Sequence, residues 1–444
     1  MSYEVYSEAF FYLPGKEYMQ EKKPDQYEFI SEKIKEKPVN KKKLIYHAGF
    51  LCTMAVVFGV IASLVFTVCQ PWMEEMLYPK EDPQITIPKD EPETDTETET
   101  GTDEPESEEP ATETQIVYET MTLEDYQSLQ NEMYAIGREA NRSIVGVTGV
   151  KSNTDWFNNA YESKGQGSGI IIADNGQELL ILTERKVLSG AQSIYVTFVN
   201  DTSVEASVRK YDGNTGIAVL CVPNSEIDDV TRNEISVAVL GNSFAVGQGT
   251  LALAVGSPLG SNYSILTGNI TATSYSVSTI DANYAVFTTD IVGSKNGSGA
   301  LLNLKGEVIG LIMQGFGNGS DQNTLTAIAI SELKPLIEML SNNQDIPYIG
   351  LEITTVTNTI AKENDIPKGV YIKEVKMDSP AMAAGLQSGD IITEIDGDPV
   401  VSVDGYKTKL LSYQPGDMAQ VVVQRQGSSG YTEITCQVNI SMLK

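Results

Sequence analysis

Residues 249–330 contain five short apolar segments: GTLALAVG (249–256), SILTGNITAT (264–273), YAVFTTD (284–290), GALLNLKGEVIGLIM (299–313) and TLTAIAI (324–330). A similar series precedes them: SIVGVTGV (143–150), GSGIIIA (167–173), LLILT (179–183), IYVTFV (194–199), VEASVRKY (204–211) and GIAVLCV (216–222). Glycine, asparagine and aspartate separate the segments. Because short strands with regular turn signals are typical of β-barrels and sandwiches, the sequence predicts a mainly β fold with two barrels packed together.

The composition excludes several kinds of function. The net charge is −29 over 444 residues, and its most concentrated part is one acidic stretch at residues 81–114. No basic stripe is present to bind phosphates, so nucleic acid is not an expected partner. Four cysteines and one histidine form no metal-binding pattern, so we expect neither a metal site nor a cofactor. A disulfide between Cys221 and Cys436 is not expected, since they fall in different predicted domains.

A 22-residue uncharged run, AGFLCTMAVVFGVIASLVFTVC (48–69), lies near the N-terminus. As a helix it spans about 30 Å, which matches the hydrocarbon core of a bilayer. A buried soluble helix and a cleaved signal peptide are the alternatives, but a signal peptide would not begin more than forty residues into the chain. The sequence therefore predicts a transmembrane helix at 44–70. Lysines precede the run and glutamates follow it, which predicts a cytoplasmic tail at 1–43 and extracytoplasmic C-terminal domains in the cell membrane.

Residues 71–120 include a stretch rich in proline, threonine, glutamate and aspartate. Such a composition buries little apolar surface and its like charges repel, so it predicts a disordered acidic linker. Calcium binding is the alternative for the acidic run, but no EF-hand spacing supports it.

Six motifs follow one another in order: GSGIII (167–172), LTERKVL (182–188), DGNTGIAVL (212–220), AVGSPLG (254–260), TDIVGSKNGSG (289–299) and GEVIG (306–310). Together they resemble the HtrA family of serine proteases. The resemblance implies a trypsin-like double β-barrel domain at 121–342. It also implies homotrimers, which this family usually forms.

The last hundred residues carry YIGL (348–351), SPA (379–381), AGL (384–386), SGDII (388–392) and IDG (395–397), which resemble a bacterial PDZ domain of α+β fold at 345–444. The resemblance implies that backbone N–H groups near YIGL bind a peptide's C-terminal carboxylate. An extended peptide would then lie between the helix VDGYKTKLL (403–411) and the segment after the loop. The expected peptide-binding residues are Tyr348, Ile349, Gly350, Leu351 and Ile353. A module that has lost its groove is the alternative.

The catalytic positions depart from the family's pattern. The resemblance places Ser298 at the nucleophile position, with an oxyanion hole from its own backbone N–H and that of Asn296, in the loop that contains Gly297. Where relatives have the histidine base, this chain has Lys186, and where they have aspartate, it has Gly216. The chain's one histidine, His47, lies at the cytoplasmic edge of the predicted membrane span. A conventional Ser-His-Asp triad is therefore absent.

Lys186 as the base for Ser298 is an alternative. A free lysine has a pKa near 10.4, and lowering it by about three units for catalysis near neutral pH costs roughly 4 kcal/mol. Three functions follow: a pseudoprotease that binds unfolded or C-terminal segments of envelope or extracellular proteins, an active serine endopeptidase using Ser298 and Lys186, and a tether acting through the PDZ domain. The first is our main expectation.

Overall fold

The computed structural model describes residues 41–77, 83–90, 121–154, 160–317, 323–428 and 430–443. Contacts divide the chain into two compact units, Met1–Glu81 and Asp82–Lys444.

The first unit contains one described helix, α1 (Lys41–Leu77). The predicted segment 44–70 lies inside α1, which continues seven residues further than predicted. Residues 1–40 of the predicted tail lie outside the described residues. Across the part of the chain that the structure describes, no helix combines the length and the apolar character needed to cross a membrane.

The first barrel of the second unit closes in the order β1-β2-β3-β6-β5-β4. Its strands are β1 (Ile144–Thr154), β2 (Ala160–Asp174), β3 (Glu178–Glu184), β4 (Ser193–Thr197), β5 (Ser203–Tyr211) and β6 (Ile217–Pro223). Alternate residues of β6 enter two different clusters: Leu220 fills this barrel, whereas Val219 packs in a cluster that also contains residues of the second barrel. Because both faces of β6 are covered, its sequence is continuously apolar.

The second barrel closes in the order β10-β11-β12-β9-β8-β7. Its strands are β7 (Leu251–Ser257), β8 (Ser264–Thr279), β9 (Ala282–Val292), β10 (Ser298–Leu302), β11 (Val308–Met313) and β12 (Thr324–Ala329). On β7, Ala252 fills the barrel and Leu253 joins the cluster shared with the first barrel. The predicted mainly β fold with two barrels is confirmed.

Four helices accompany the barrels: α2 (Leu123–Ala140), α3 (Arg185–Leu188), α4 (Asp229–Glu234) and α5 (Ile330–Ser341). Helix α2 begins at a capping box, in which Thr122 and Asp125 bond to each other's backbone N–H. Helix α5 buries one apolar face, with Leu333, Leu336, Ile337 and Leu340 all in the shared core.

Residues 83–90 depart from the prediction of a disordered linker. Ile87 is buried in the shared core, its N–H donates to Glu338 Oε2 at 2.9 Å, and Ile85 exchanges two 2.7 Å hydrogen bonds with the Asn342 side chain. The prediction was wrong here because two isoleucines interrupt the acidic composition and α5 offers polar partners for their backbone. Residues 71–77 belong to α1, while 78–82 and 91–120 lie outside the described residues. We call residues 83–90 the strap.

The C-terminal domain contains a sheet in the order β14-β15-β16-β18-β19, with β14 at one edge. The strands of the domain are β13 (Pro347–Tyr348), β14 (Leu351–Val356), β15 (Gly369–Val375), β16 (Ile391–Ile395), β17 (Asp398–Pro399), β18 (Met418–Gly427), β19 (Gly430–Asn439) and β20 (Ser441–Met442). Strands β13 and β20 pair in a separate two-stranded sheet. The helices are α6 (Asn358–Asn364), α7 (Pro380–Ala383) and α8 (Val403–Leu410). A separate core that includes Tyr406 of α8 holds this domain together. The predicted PDZ fold is confirmed.

Candidate functional site

Ser298 is the first residue of β10 and lies at the junction of the two barrels. Its side chain is buried, with 1% of the residue exposed, and its Oγ accepts a 2.9 Å hydrogen bond from the Ser168 N–H on β2. Gly299 follows with a φ of +133°, and a Cβ there would lie 2.0 Å from the Val255 carbonyl oxygen. Only glycine therefore fits beside Ser298, which explains the Ser-Gly sequence at this turn.

Among the described residues, no side chain accepts a hydrogen bond from the Ser298 hydroxyl. Lys186, in the short helix α3, has a side chain that is 45% exposed, and its Nζ lies 2.7 Å from Glu184 Oε2. A general base must lie within hydrogen-bond reach of the proton that it removes, and the Lys186 ammonium is instead paired with Glu184.

Glu184 is a site residue that sequence reasoning did not single out. Its side chain is only 7% exposed, and its Oε1 is buried without a hydrogen-bond partner among the described residues. Burial raises the pKa of Glu184, while the Coulombic attraction and hydrogen bond of Lys186 lower it. The neighbouring lysine in the sequence was a signal for an ion pair, but the burial of the carboxylate depends on the barrel around it.

Gly216 cannot replace the orienting aspartate. It brings no carboxylate, and its carbonyl accepts a 2.8 Å hydrogen bond from the Arg185 N–H. Its φ of +74° lies in the left-handed region. The nearby Asp212 carboxylate is occupied inside its own turn, where it accepts hydrogen bonds from the N–H and hydroxyl of Thr215.

The loop predicted to form an oxyanion hole precedes Ser298. Asn296 is exposed. The Gly297 N–H donates to the Ser294 carbonyl at 2.8 Å, so this donor is already engaged within the loop. A group that stabilises a developing negative charge must point at the reacting oxygen, and the Gly297 N–H is committed elsewhere.

A surface cleft of about 420 Å³ runs past these positions. Its lining includes Glu184, Lys186, Gly216, Lys295, Asn296 and Phe316, but Ser298 is not among the lining residues. A second cleft of about 630 Å³ has Arg185, Lys186, Tyr211 and Gly216 in its lining. The structure thus brings Lys186, Gly216 and Asn296 to one cleft and leaves Ser298 beneath the surface.

The five expected PDZ residues lie around the start of β14. Ile349, Leu351 and Ile353 are buried, Tyr348 is partly exposed, and Gly350 has a φ of +96°. The N–H groups of Ile349, Gly350 and Leu351 converge on one carboxylate, that of Asp281 at the turn between β8 and β9. Nothing in the sequence around Asp281 indicated this contact, since it joins positions about seventy residues apart.

Two closed six-stranded barrels with a serine at the head of β10, followed by a sheet with a carboxylate-binding loop, define a trypsin-like peptidase fold joined to a PDZ domain. The sequence matches the model of the trypsin-like peptidase domain over residues 167–311 and that of the PDZ domain over residues 347–436. A trypsin-like peptidase domain followed by a PDZ domain is the arrangement that the resemblance to the HtrA family predicts.

Several relatives support this assignment. The chain is 29% identical over 287 residues to the serine protease Do-like HtrA of Lactobacillus helveticus, covering 61% of this chain and 68% of the relative. It is 29% identical over 314 residues to the serine protease Do-like HtrA of Bacillus subtilis, covering 64% and 68%. A probable periplasmic serine endoprotease of Pseudomonas fulva, described as DegP-like, is 30% identical over 274 residues, covering 60% and 54%.

Solved structures give the same fold. The HtrA-type protease AlgW with a decapeptide aligns with a TM-score of 0.52 at 20% identity, covering 70% of this chain and 98% of that chain. AlgW with a tripeptide aligns with a TM-score of 0.51 at 22% identity, covering 70% and 97%.

Proposed function

We propose that this chain is a membrane-tethered HtrA-family protein that binds unfolded or C-terminal polypeptide segments and is catalytically impaired. The observation that carries the proposal is the state of the base position: Lys186 is half-exposed and paired with Glu184 at 2.7 Å. The engaged Gly297 N–H and the buried Ser298 support it further.

The magnitude of the impairment follows from the triad mechanism. In a serine protease of this mechanism, loss of the histidine alone lowers turnover on the order of a million-fold. This chain has a single histidine, His47, in the first unit. The open clefts of the second unit remain suited to hold a polypeptide. The chain therefore retains polypeptide binding although its catalytic activity is lost.

An active serine endopeptidase is the second candidate, and the relatives favour it by name, since they are called serine proteases. Ser298 is retained at the nucleophile position. Catalysis would require Lys186 to leave Glu184, lose its proton and reach Ser298 Oγ. Neutralising an ordinary lysine at pH 7 costs roughly 4 kcal/mol, and the broken ion pair adds to this cost.

The membrane tether and the location rest on the sequence. The run 48–69 carries no charge, lysines precede it and glutamates follow it. Its described side chains are exposed, including Phe50, Phe58 and Leu64. The Pseudomonas fulva relative is named as periplasmic. These observations support an N-terminus in the cytoplasm and a second unit outside it. Assembly as a homotrimer is also part of the proposal, on family resemblance.

The test is hydrolysis of fluorescein-labelled casein by the purified full-length chain, together with labelling by a fluorophosphonate. The Bacillus subtilis relative serves as the positive control. We expect casein to bind without being cleaved, and no labelling of the protein. The matched variants are Ser298→Ala, Lys186→Ala and Lys295→Ala, the last removing another exposed lysine of the same cleft.

Cleavage or labelling that disappears in both Ser298→Ala and Lys186→Ala, but persists in Lys295→Ala, would establish the endopeptidase instead. If neither the full-length chain nor any of its three variants binds casein, the polypeptide-binding function is refuted.

A further inference from the structure

The turn between β8 and β9 reaches from the second barrel into the PDZ domain. Asp281 forms its tip, with a φ of +59°, and the preceding residue Ile280 is fixed by two hydrogen bonds to the Asn214 side chain, of 2.7 and 3.1 Å. The tip is therefore held in place by the trypsin-like domain before it meets the PDZ domain.

The Asp281 carboxylate is fully bonded at the PDZ loop. Oδ2 accepts from the Ile349 N–H at 2.9 Å and the Gly350 N–H at 2.7 Å. Oδ1 accepts from the Leu351 N–H at 3.0 Å and the Tyr406 hydroxyl at 2.8 Å. Burial raises the pKa of Asp281, and the hydrogen bonds from the backbone and Tyr406 oppose that rise.

The backbone of Asp281 adds a further contact, because its N–H donates to the Leu351 carbonyl at 2.7 Å. A peptide ending at this loop would offer the same two groups: a carboxylate to the three N–H donors and an N–H to the edge strand β14. Both groups of Asp281 occupy these positions. The edge of β14 is contacted again at Ile353, whose carbonyl accepts from Asn283 at 3.5 Å.

The opposite wall of the groove is also held by the trypsin-like domain. Lys407 on α8 donates to the Glu332 carbonyl at 2.7 Å, and its Nζ lies 4.1 Å from the ring centre of Tyr284 on β9. Both walls of the PDZ groove, β14 and α8, thus contact the second barrel.

We propose that Asp281 is an internal ligand of the PDZ carboxylate loop, and that a polypeptide with a free C-terminus binds there only by displacing it. The inference rests on the peptide-binding part of the proposed function and adds its regulation. A competing internal ligand lowers the apparent affinity for an external peptide by the fraction of molecules in which the site is free.

The experiment measures fluorescence anisotropy of a labelled decapeptide that ends in leucine with a free carboxylate, against a matched peptide ending in an amide. The full-length chain is compared with Asp281→Gly, which suits the positive φ and removes the carboxylate, and with Asp281→Asn, which keeps the size and loses the charge. The matched control is Asp201→Gly, since Asp201 is exposed in a turn of the first barrel with a φ of 64°. Thermal unfolding checks that each variant is folded.

We expect both Asp281 variants to bind the free-acid peptide at least about tenfold more tightly than the unsubstituted chain and Asp201→Gly, with little binding of the amide. If Asp281→Gly does not fold, the comparison of Asp281→Asn with the unsubstituted chain tests the inference by itself. Equal affinities in all four proteins would overturn the inference while leaving peptide binding intact. No binding in any of them would overturn both the inference and the PDZ part of the proposed function.

Discussion

The strap offers a direct test of how the second unit is held together. Asp90 lies with Oδ2 2.7 Å from Lys334 Nζ and accepts a 2.5 Å hydrogen bond from the Ser331 hydroxyl. The Lys334 side chain is 3% exposed and that of Asp90 is 15% exposed. The perturbation we consider is Asp90→Ala, which leaves a buried ammonium without its carboxylate.

Removing one partner of a buried ion pair costs about 3–5 kcal/mol, because the remaining charge stays desolvated. Asp90 lies on the solvent side of the pair, so water reaches Lys334 once the carboxylate is gone, and we expect the lower value of about 3 kcal/mol. For a domain of this size, that corresponds to a fall in Tm of roughly 6–12 °C. In Asp90→Ala with Lys334→Met no charge is left buried, and the expected fall is only about 2–4 °C.

Differential scanning calorimetry of the Asp82–Lys444 unit measures the Tm of each variant. The control is Lys89→Ala, which removes an exposed charge of the same strap. Because the pair is buried, the effect should persist in 0.5 M salt, at about the same size. A Tm of Asp90→Ala within about 2 °C of the parent, or a double variant no more stable than Asp90→Ala, would refute the argument.

Three further predictions concern the site and the domain interface. Lys186→His combined with Gly216→Asp should leave casein uncleaved, since the φ of +74° at Gly216 costs an aspartate roughly 1–2 kcal/mol and Ser298 remains buried; measurable cleavage would contradict this. Burial lowers the pKa of Lys407 from 10.5 to about 8. The unfolded chain therefore binds more protons between these pH values, and stability should rise with pH there by at most about 1.4 kcal/mol per unit. Lys407→Met should reduce that rise in urea unfolding, and an unchanged slope would disprove the assignment. Deleting residues 345–444 should weaken but retain casein binding if the barrel clefts hold polypeptide; complete loss would favour a tether acting through the PDZ domain.

The fold was predictable because short apolar segments and the turn residues between them specify the strands locally. The apolar segments, separated by glycine, asparagine and aspartate, became strands of the two barrels. The strap was not predictable from composition, since the backbone of Ile85 and Ile87 bonds to Asn342 and Glu338, about 250 positions further along the chain.

The candidate site was predictable in its residue types and unpredictable in its contacts. Absence of a second histidine is a fact of the sequence. That Lys186 pairs with a buried Glu184, rather than approaching Ser298, depends on how the barrels enclose β3.

The sequence by itself determined the order of the two barrels and the PDZ domain, and it placed the chain's one histidine, His47, before both domains. These properties reside in residue identity and in periodicity along the chain. Only the tertiary structure placed Asp281 in the PDZ loop and Asp90 beside Lys334, because a buried carboxylate is stabilised by donors that the fold brings together from distant positions.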